Sequence, residues 1–154
     1  MRKSLALVLF AATAALAAPS LPYDEGADAH AEVATAIAQA GRAKQEVLVV
    51  FGANWCPDCR LLDASLKSGA TASLMSERFR IVKVDVGRFD RNVDIANACG
   101  VPLKKGIPAV AVLSGSGKVL YATQAGELAD AREMGDAGIH DFFAGMVRRP
   151  GLEP

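Results

Sequence analysis

The chain has 154 residues, 51% of them hydrophobic, with 17 basic and 17 acidic side chains. That supplies one core for one domain of ordinary size, and the lack of any basic run excludes a nucleic-acid-binding surface. Three cysteines are too few, and odd in number, for a disulfide scaffold.

The first residues read as an address. Arg2 and Lys3 form a positive n-region, Leu5 to Ala12 an apolar h-region, and Ala15-Leu16-Ala17 a small-x-small cleavage site. The apolar stretch falls short of the ~20 residues that span a bilayer, which argues against an uncleaved anchor. The sequence therefore predicts a signal peptide over 1–17, an N-terminal arm and helix over 18–46, and the main domain over 47–154. Loss of Arg2 and Lys3 leaves 15 basic residues against 17 acidic ones. The expected destination is outside the cytoplasm, in the bacterial periplasm, an oxidising space in which paired thiols meet oxidants.

Residues 19–27, with two prolines, a glycine and two acids, read as an extended arm. Asp28 is placed to cap a helix over 29–44 with Val33 and Ile37 on its apolar face. Val47 to Phe51 is an unbroken apolar run, expected as a strand buried on both faces. Gly52-Ala53-Asn54 turns the chain, and Pro57 suits the first turn of a helix running to about Lys67. A further helical turn or two is predicted over 71–78, a second strand over Ile81 to Val86, and a helix over Asp90 to Ala98. Pro108 to Leu113 is a third strand, Ser114 to Gly117 a turn, and Val119 to Tyr121 a fourth strand completing a hairpin. Glu127 to Val147 reads as mostly helix, interrupted near Gly135-Asp136 and Gly138, with Asp136 placed to recap it. Strands alternating with helices, then a hairpin and a helix, define an α/β domain with a mixed sheet.

The chemistry is concentrated in Phe51-Gly-Ala-Asn-Trp-Cys-Pro-Asp-Cys59. A helix beginning near Cys56 offers unpaired N–H groups and a partial positive charge, which lower a thiol pKa. Cys59, three residues on, lies on the same face within disulfide reach. Cys56 is then the exposed nucleophile and Cys59 the resolving thiol. A lone Cys-x-x-Cys is also half of a zinc site. Zinc, however, needs four ligands, and only His30 and His140, both distant in sequence, remain. Arg60 stands where c-type haem attachment requires histidine. No metal and no cofactor are implied.

Trp55-Cys56-Pro57-Asp58-Cys59 after an apolar strand resembles the active site of the thioredoxin superfamily. Gly106-Ile107-Pro108 entering the next strand, Lys83-Val-Asp-Val86, and Gly117-Lys118 at the last hairpin extend the resemblance over residues 47–147. It implies a thioredoxin-like fold, a central mixed β-sheet flanked by helices, here with an N-terminal helical extension. It also implies that Pro108 is cis and faces the disulfide, and that the Ile107 backbone pairs with an extended substrate segment. The long arm and the WCPDC centre resemble exported bacterial proteins of the disulfide-isomerase type. Trp55 either belongs to the core or lines the docking surface, and Lys83 is either solvated or near the redox helix.

Two departures from the family pattern stand out. Val50 occupies the place of a buried aspartate that helps deprotonate the resolving cysteine, leaving Asp58 or water for that task. Pro57-Asp58 replaces the commoner Gly-Pro, and an exposed acid between the thiols disfavours thiolate by like-charge repulsion. Since strong oxidants are those with a stabilised reduced form, Asp58 favours reductase or isomerase over oxidase. The reading is an enzyme, a thiol–disulfide oxidoreductase acting through Cys56 and Cys59, with Trp55, Pro57, Asp58, Ile107 and Pro108 in support. Its partners would be protein disulfides or dithiols and a membrane or periplasmic thiol electron donor, with the chain a monomer. The alternative is a copper(I) carrier using the same pair, with Met134 and Met146 read as core rather than ligands. Cys99 reads as a small buried hydrophobe or a regulatory thiol.

Overall fold

A computed structural model of the protein describes residues 21–152; the signal-peptide reading of 1–17 lies outside them. Ten elements follow in order: helix α1 (Ala29–Ala43), strand β1 (Glu46–Gly52), helices α2 (Pro57–Leu66) and α3 (Gly69–Arg78), strand β2 (Phe79–Asp85), helix α4 (Val93–Ala98), a 3-10 turn (Leu103–Lys105), strands β3 (Ala109–Leu113) and β4 (Val119–Ala122), and helix α5 (Ala131–Val147).

The sheet order is β2-β1-β3-β4. β1 runs parallel to β2 and antiparallel to β3, and β3 and β4 form the expected hairpin. β1 is central, and Val47 to Phe51 are at most 2% exposed. At about 1.5–3 kcal/mol for each large apolar side chain buried, this strand is a rigid platform for whatever follows it. Alternation along the strands divides the core. Val47, Val49 and Phe51 pack with Val82, Val84 and the α1 alanines on one face. Leu48 and Val50 face Leu62, Leu66, Ile139 and Phe143 of α2 and α5 on the other.

Local chemistry sets most boundaries. Asp28 caps α1 by accepting the Ala31 N–H, and Lys44 ends it in the left-handed region at φ 53°. The buried stripe of α1 is Ala29, Ala36 and Ala40, with Val33 and Ile37 only partly covered. Small residues there let the helix lie close to the sheet, so the stripe is rotated from the one expected. The segment 69–78 is a full helix. α4 begins at Val93 rather than Asp90, because Gly87, Phe89 and Asn92 all have positive φ and build a turn first. α5 is kinked at Gly135, φ 65°. Asp136 does not recap it, since its carboxylate accepts the Ser65 hydroxyl of α2. No helix among the described residues is long and apolar enough to cross a membrane.

Candidate active site

β1 delivers the chain at Gly52 to a tight turn, and α2 starts five residues later. Cys56 is the N-cap residue of α2, in extended conformation, with Pro57 in the first turn where its missing N–H costs nothing. The Cys59 N–H points at Cys56 Sγ at 3.1 Å. Cys56 and Cys59 are joined as a disulfide with Cα atoms 5.2 Å apart. On reduction, that N–H and the helix N-terminus would stabilise negative charge on Cys56 rather than on Cys59. Cys56 is 3% exposed and Cys59 fully buried. The exposure expected for Cys56 is therefore not present, because the loop before β3 closes over it. There the Ile107–Pro108 peptide bond is cis, and the Ile107 carbonyl oxygen lies 3.6 Å from Cys56 Sγ. Gly106, φ 114°, leads into this loop where an added Cβ would stand 2.7 Å from the Ala129 Cβ.

Trp55 is not core. It is 47% exposed, donates its indole N–H to the Gly87 carbonyl at 2.8 Å and meets the edge of Phe89, itself 44% exposed. Beside Phe89 an apolar groove of about 420 Å³ is lined by Val93, Leu103, Lys104 and Gly106. Lys83 reaches the redox helix and forms an ion pair with Asp63, and burial pulls its pKa down.

Asp58 corrects the electrostatic expectation. Its side chain is only 14% exposed and pairs with Arg132 at 3.2 Å, and the Arg132 backbone N–H donates to the same oxygen at 3.0 Å. Burial pushes the Asp58 carboxyl up, but the hydrogen bonds and charge of Arg132 outweigh it and hold it below its ordinary value. The acid beside the thiols is thus one half of an ion pair. Arg132 is 74 residues away in sequence and carries no motif that would have marked it.

The N-terminal arm supplies a second residue that sequence patterns did not single out. Tyr23 is 3% exposed. The Asn54 side chain grips its backbone from both sides, accepting from its N–H at 2.9 Å and donating to its carbonyl at 2.8 Å. The ring packs on Gly52. A Cβ there would collide with the Tyr23 hydroxyl and stand 3.0 Å from Cys59 Sγ, so glycine is required by close approach. A lone tyrosine among prolines was the only available hint. Cys99 is free and buried, and burial raises its thiol pKa. His30 pairs with Asp94 at the surface, and His140 lies 3.4 Å from the Thr71 hydroxyl. Among the described residues no group of three or more His, Cys, Asp or Glu could hold a metal ion.

The family model described as thioredoxin-like matches residues 28–115. A crystal structure of a disulphide isomerase from Xylella fastidiosa Temecula1 is 51% identical, covering 85% of this chain and 100% of that one, with a TM-score of 0.81. A solution structure of a thioredoxin from Thermus thermophilus, 19% identical over 75% of this chain and 83% of that one with a TM-score of 0.52, shares the fold. No curated protein matches the chain significantly. The chain belongs to the thioredoxin-like family. With its Cys56–Cys59 pair it is an enzyme of the thiol–disulfide oxidoreductase class.

Proposed function

We propose that the protein exchanges disulfides with protein substrates outside the cytoplasm, as an isomerase or reductase, with Cys56 attacking and Cys59 resolving. The observation that carries this is the Cys59 N–H aimed at Cys56 Sγ from the first turn of α2. It favours thiolate at the outer sulfur only. Cys56 forms the mixed disulfide, and Cys59, three residues along the same helix, displaces the substrate sulfur. The Ile107 carbonyl borders the sulfur, and with the exposed Trp55 ring next along the chain it offers a face for an extended peptide. Pro57 starts the helix, and Asp58 ties it to α5.

The isomerase or reductase direction is supported by the 51% identity to a chain described as a disulphide isomerase. The charge of Asp58 contributes less than the sequence implied, since Arg132 balances it. The signal-peptide pattern at residues 2–17 supports export to the periplasm. A copper carrier gains nothing from the fold, since Met146 is buried in the core on the α5 side and Met134 packs against it.

Cys59→Ser is expected to accumulate mixed disulfides with substrate proteins, seen as thiol-sensitive adducts on non-reducing gels, and Cys56→Ser is not. Adducts on Cys59 in the Cys56→Ser protein, at the yield of the reverse variant, would overturn the assignment of roles.

A further inference from the structure

Phe89 stands in a conformation that a bulky side chain rarely adopts, φ 67°, and is 44% exposed. Strain and exposure of a large ring both cost stability, and the loop is built to hold them. Three successive N–H groups, of Phe89, Asp90 and Arg91, point at the Val86 carbonyl at 2.8, 3.2 and 3.4 Å. The Asp90 carboxylate accepts the Arg88 N–H at 2.8 Å, and the Asn92 side chain donates to the Asp85 carbonyl at 2.8 Å. Strain fixed by so many bonds points to a function for what it displays. What it displays is the Phe89 ring, one wall of the apolar groove shared with Val93, Leu103, Lys104 and Gly106.

Two residues of the groove lead to the reacting sulfur. Phe89 meets Trp55, the residue before Cys56, with ring centroids 6.1 Å apart. Gly106 precedes Ile107, whose carbonyl oxygen lies 3.6 Å from Cys56 Sγ. The rim is basic. The Arg88 guanidinium lies over the Trp55 ring at 5.7 Å, and Lys104 and Lys105 are exposed. Among the described residues none of these three cations pairs with a carboxylate. The acids of the same segment are engaged, Asp90 on the Arg88 N–H and Asp94 with His30.

We propose that this groove selects the substrate, an extended polypeptide segment with a large apolar side chain two residues from its reacting cysteine and carboxylates just beyond. This deepens the oxidoreductase reading above and rests on it. When the substrate sulfur is joined to Cys56, alternate side chains of an extended segment face the protein. Two residues of such a segment span about 7 Å, and the step from Ile107 to Gly106 is about 3.8 Å between Cα atoms. The second side chain from the cysteine therefore reaches the groove. The next residues reach the rim, where Lys104 and Arg88 supply the charge that the molecule's own acids leave unmatched. Phe89 and Lys104 are the specificity residues, one for the apolar side chain and the other for the acids.

The test uses short Ser/Gly peptides with a central cysteine, presented as symmetric disulfides to the reduced protein, with peptide thiol release followed by chromatography. One set carries Phe or Ser two residues before or after the cysteine. A second set keeps the better Phe position and places Glu-Glu or Lys-Lys just beyond it. The parent protein is expected to react about tenfold faster with Phe than with Ser, on one side of the cysteine only. It should prefer Glu-Glu to Lys-Lys about two- to fivefold at low salt and less at high salt. Phe89→Ser should bring the Phe-to-Ser ratio to within about twofold of one, and Lys104→Glu should reverse the preference between Glu-Glu and Lys-Lys. Ratios within one variant do not depend on how much of it is folded. Equal rates across the peptides, an equal gain from Phe on both sides, or preferences that survive both substitutions would overturn the proposal. So would parent rate constants that fall as protein concentration rises, the mark of a second copy seated in the groove. A parent that reduces neither these peptides nor 5,5′-dithiobis(2-nitrobenzoate) would instead take down the oxidoreductase reading, and this inference with it.

Discussion

Asp58 lies between the two sulfurs in sequence, and its effect on them depends on Arg132. An uncompensated acid would destabilise the Cys56 thiolate and make the couple more reducing. The guanidinium cancels much of that. Removing Arg132 should therefore expose the acid, and Arg132→Ala is expected to shift the couple to a more reducing potential. Asp58→Asn leaves the cation alone and should shift it to a more oxidising one. With ~30 mV equal to about 1.4 kcal/mol for two electrons and Arg132 largely in solvent, each shift should be tens of millivolts at most. Equilibration with glutathione and thiol counting measures both. Shifts of the same sign in the two variants would show that the pair acts through helix position and not through charge.

Cys99 makes the opposite case, a sulfur whose surroundings keep it out of the chemistry. It follows α4 in the core, away from helix N-termini, with its thiol pKa raised by burial. Cys99→Ala should keep disulfide-reductase activity near that of the parent. It should lower stability by about 1 kcal/mol, as a typical core truncation does, read as a shift in denaturant midpoint. Loss of turnover without loss of folding would make it a third redox centre.

Among elements, β1 and the arm before α1 hold the site together. β1 is fixed by burial on both faces, so Gly52 has one position, and the turn it feeds sets Cys56 at the start of α2. The arm depends on Asn54, whose amide bonds both the N–H and the carbonyl of Tyr23. With about 1 kcal/mol net for each such hydrogen bond, Asn54→Ala should cost about 1–3 kcal/mol. It should also accelerate hydrogen exchange at the Tyr23 amide while leaving that of β1 unchanged. Unchanged exchange at Tyr23 would mean that packing on Gly52 alone fastens the arm.

Over the whole molecule, α1 completes the core. Its alanine stripe shares one apolar cluster with β1, β2 and β3, so the expected N-terminal helix packs directly on the sheet. The Arg2-Lys3, Leu5–Ala12 and Ala15-Leu16-Ala17 pattern predicts that the protein from its native host begins after Ala17. Intact-mass spectrometry checks this, and a soluble product retaining Met1 would refute it.

The sequence alone determined the strand–turn–helix that carries Cys56 and Cys59, the Asp28 cap, the β3–β4 hairpin and the family. Each is written in neighbouring residues: an apolar run, a turn triplet, a proline at a helix start, a capping side chain. The start of α4 was misread because left-handed residues at Phe89 and Asn92 are set by the fold around them and not by residue type. Only the tertiary structure decided which groups surround the sulfurs. Arg132 pairs with Asp58, the Ile107 carbonyl lies over Cys56, and the Tyr23 ring packs on Gly52 beside Cys59. Those contacts join segments far apart in the chain, and their strength comes from burial and charge proximity, which no local pattern encodes.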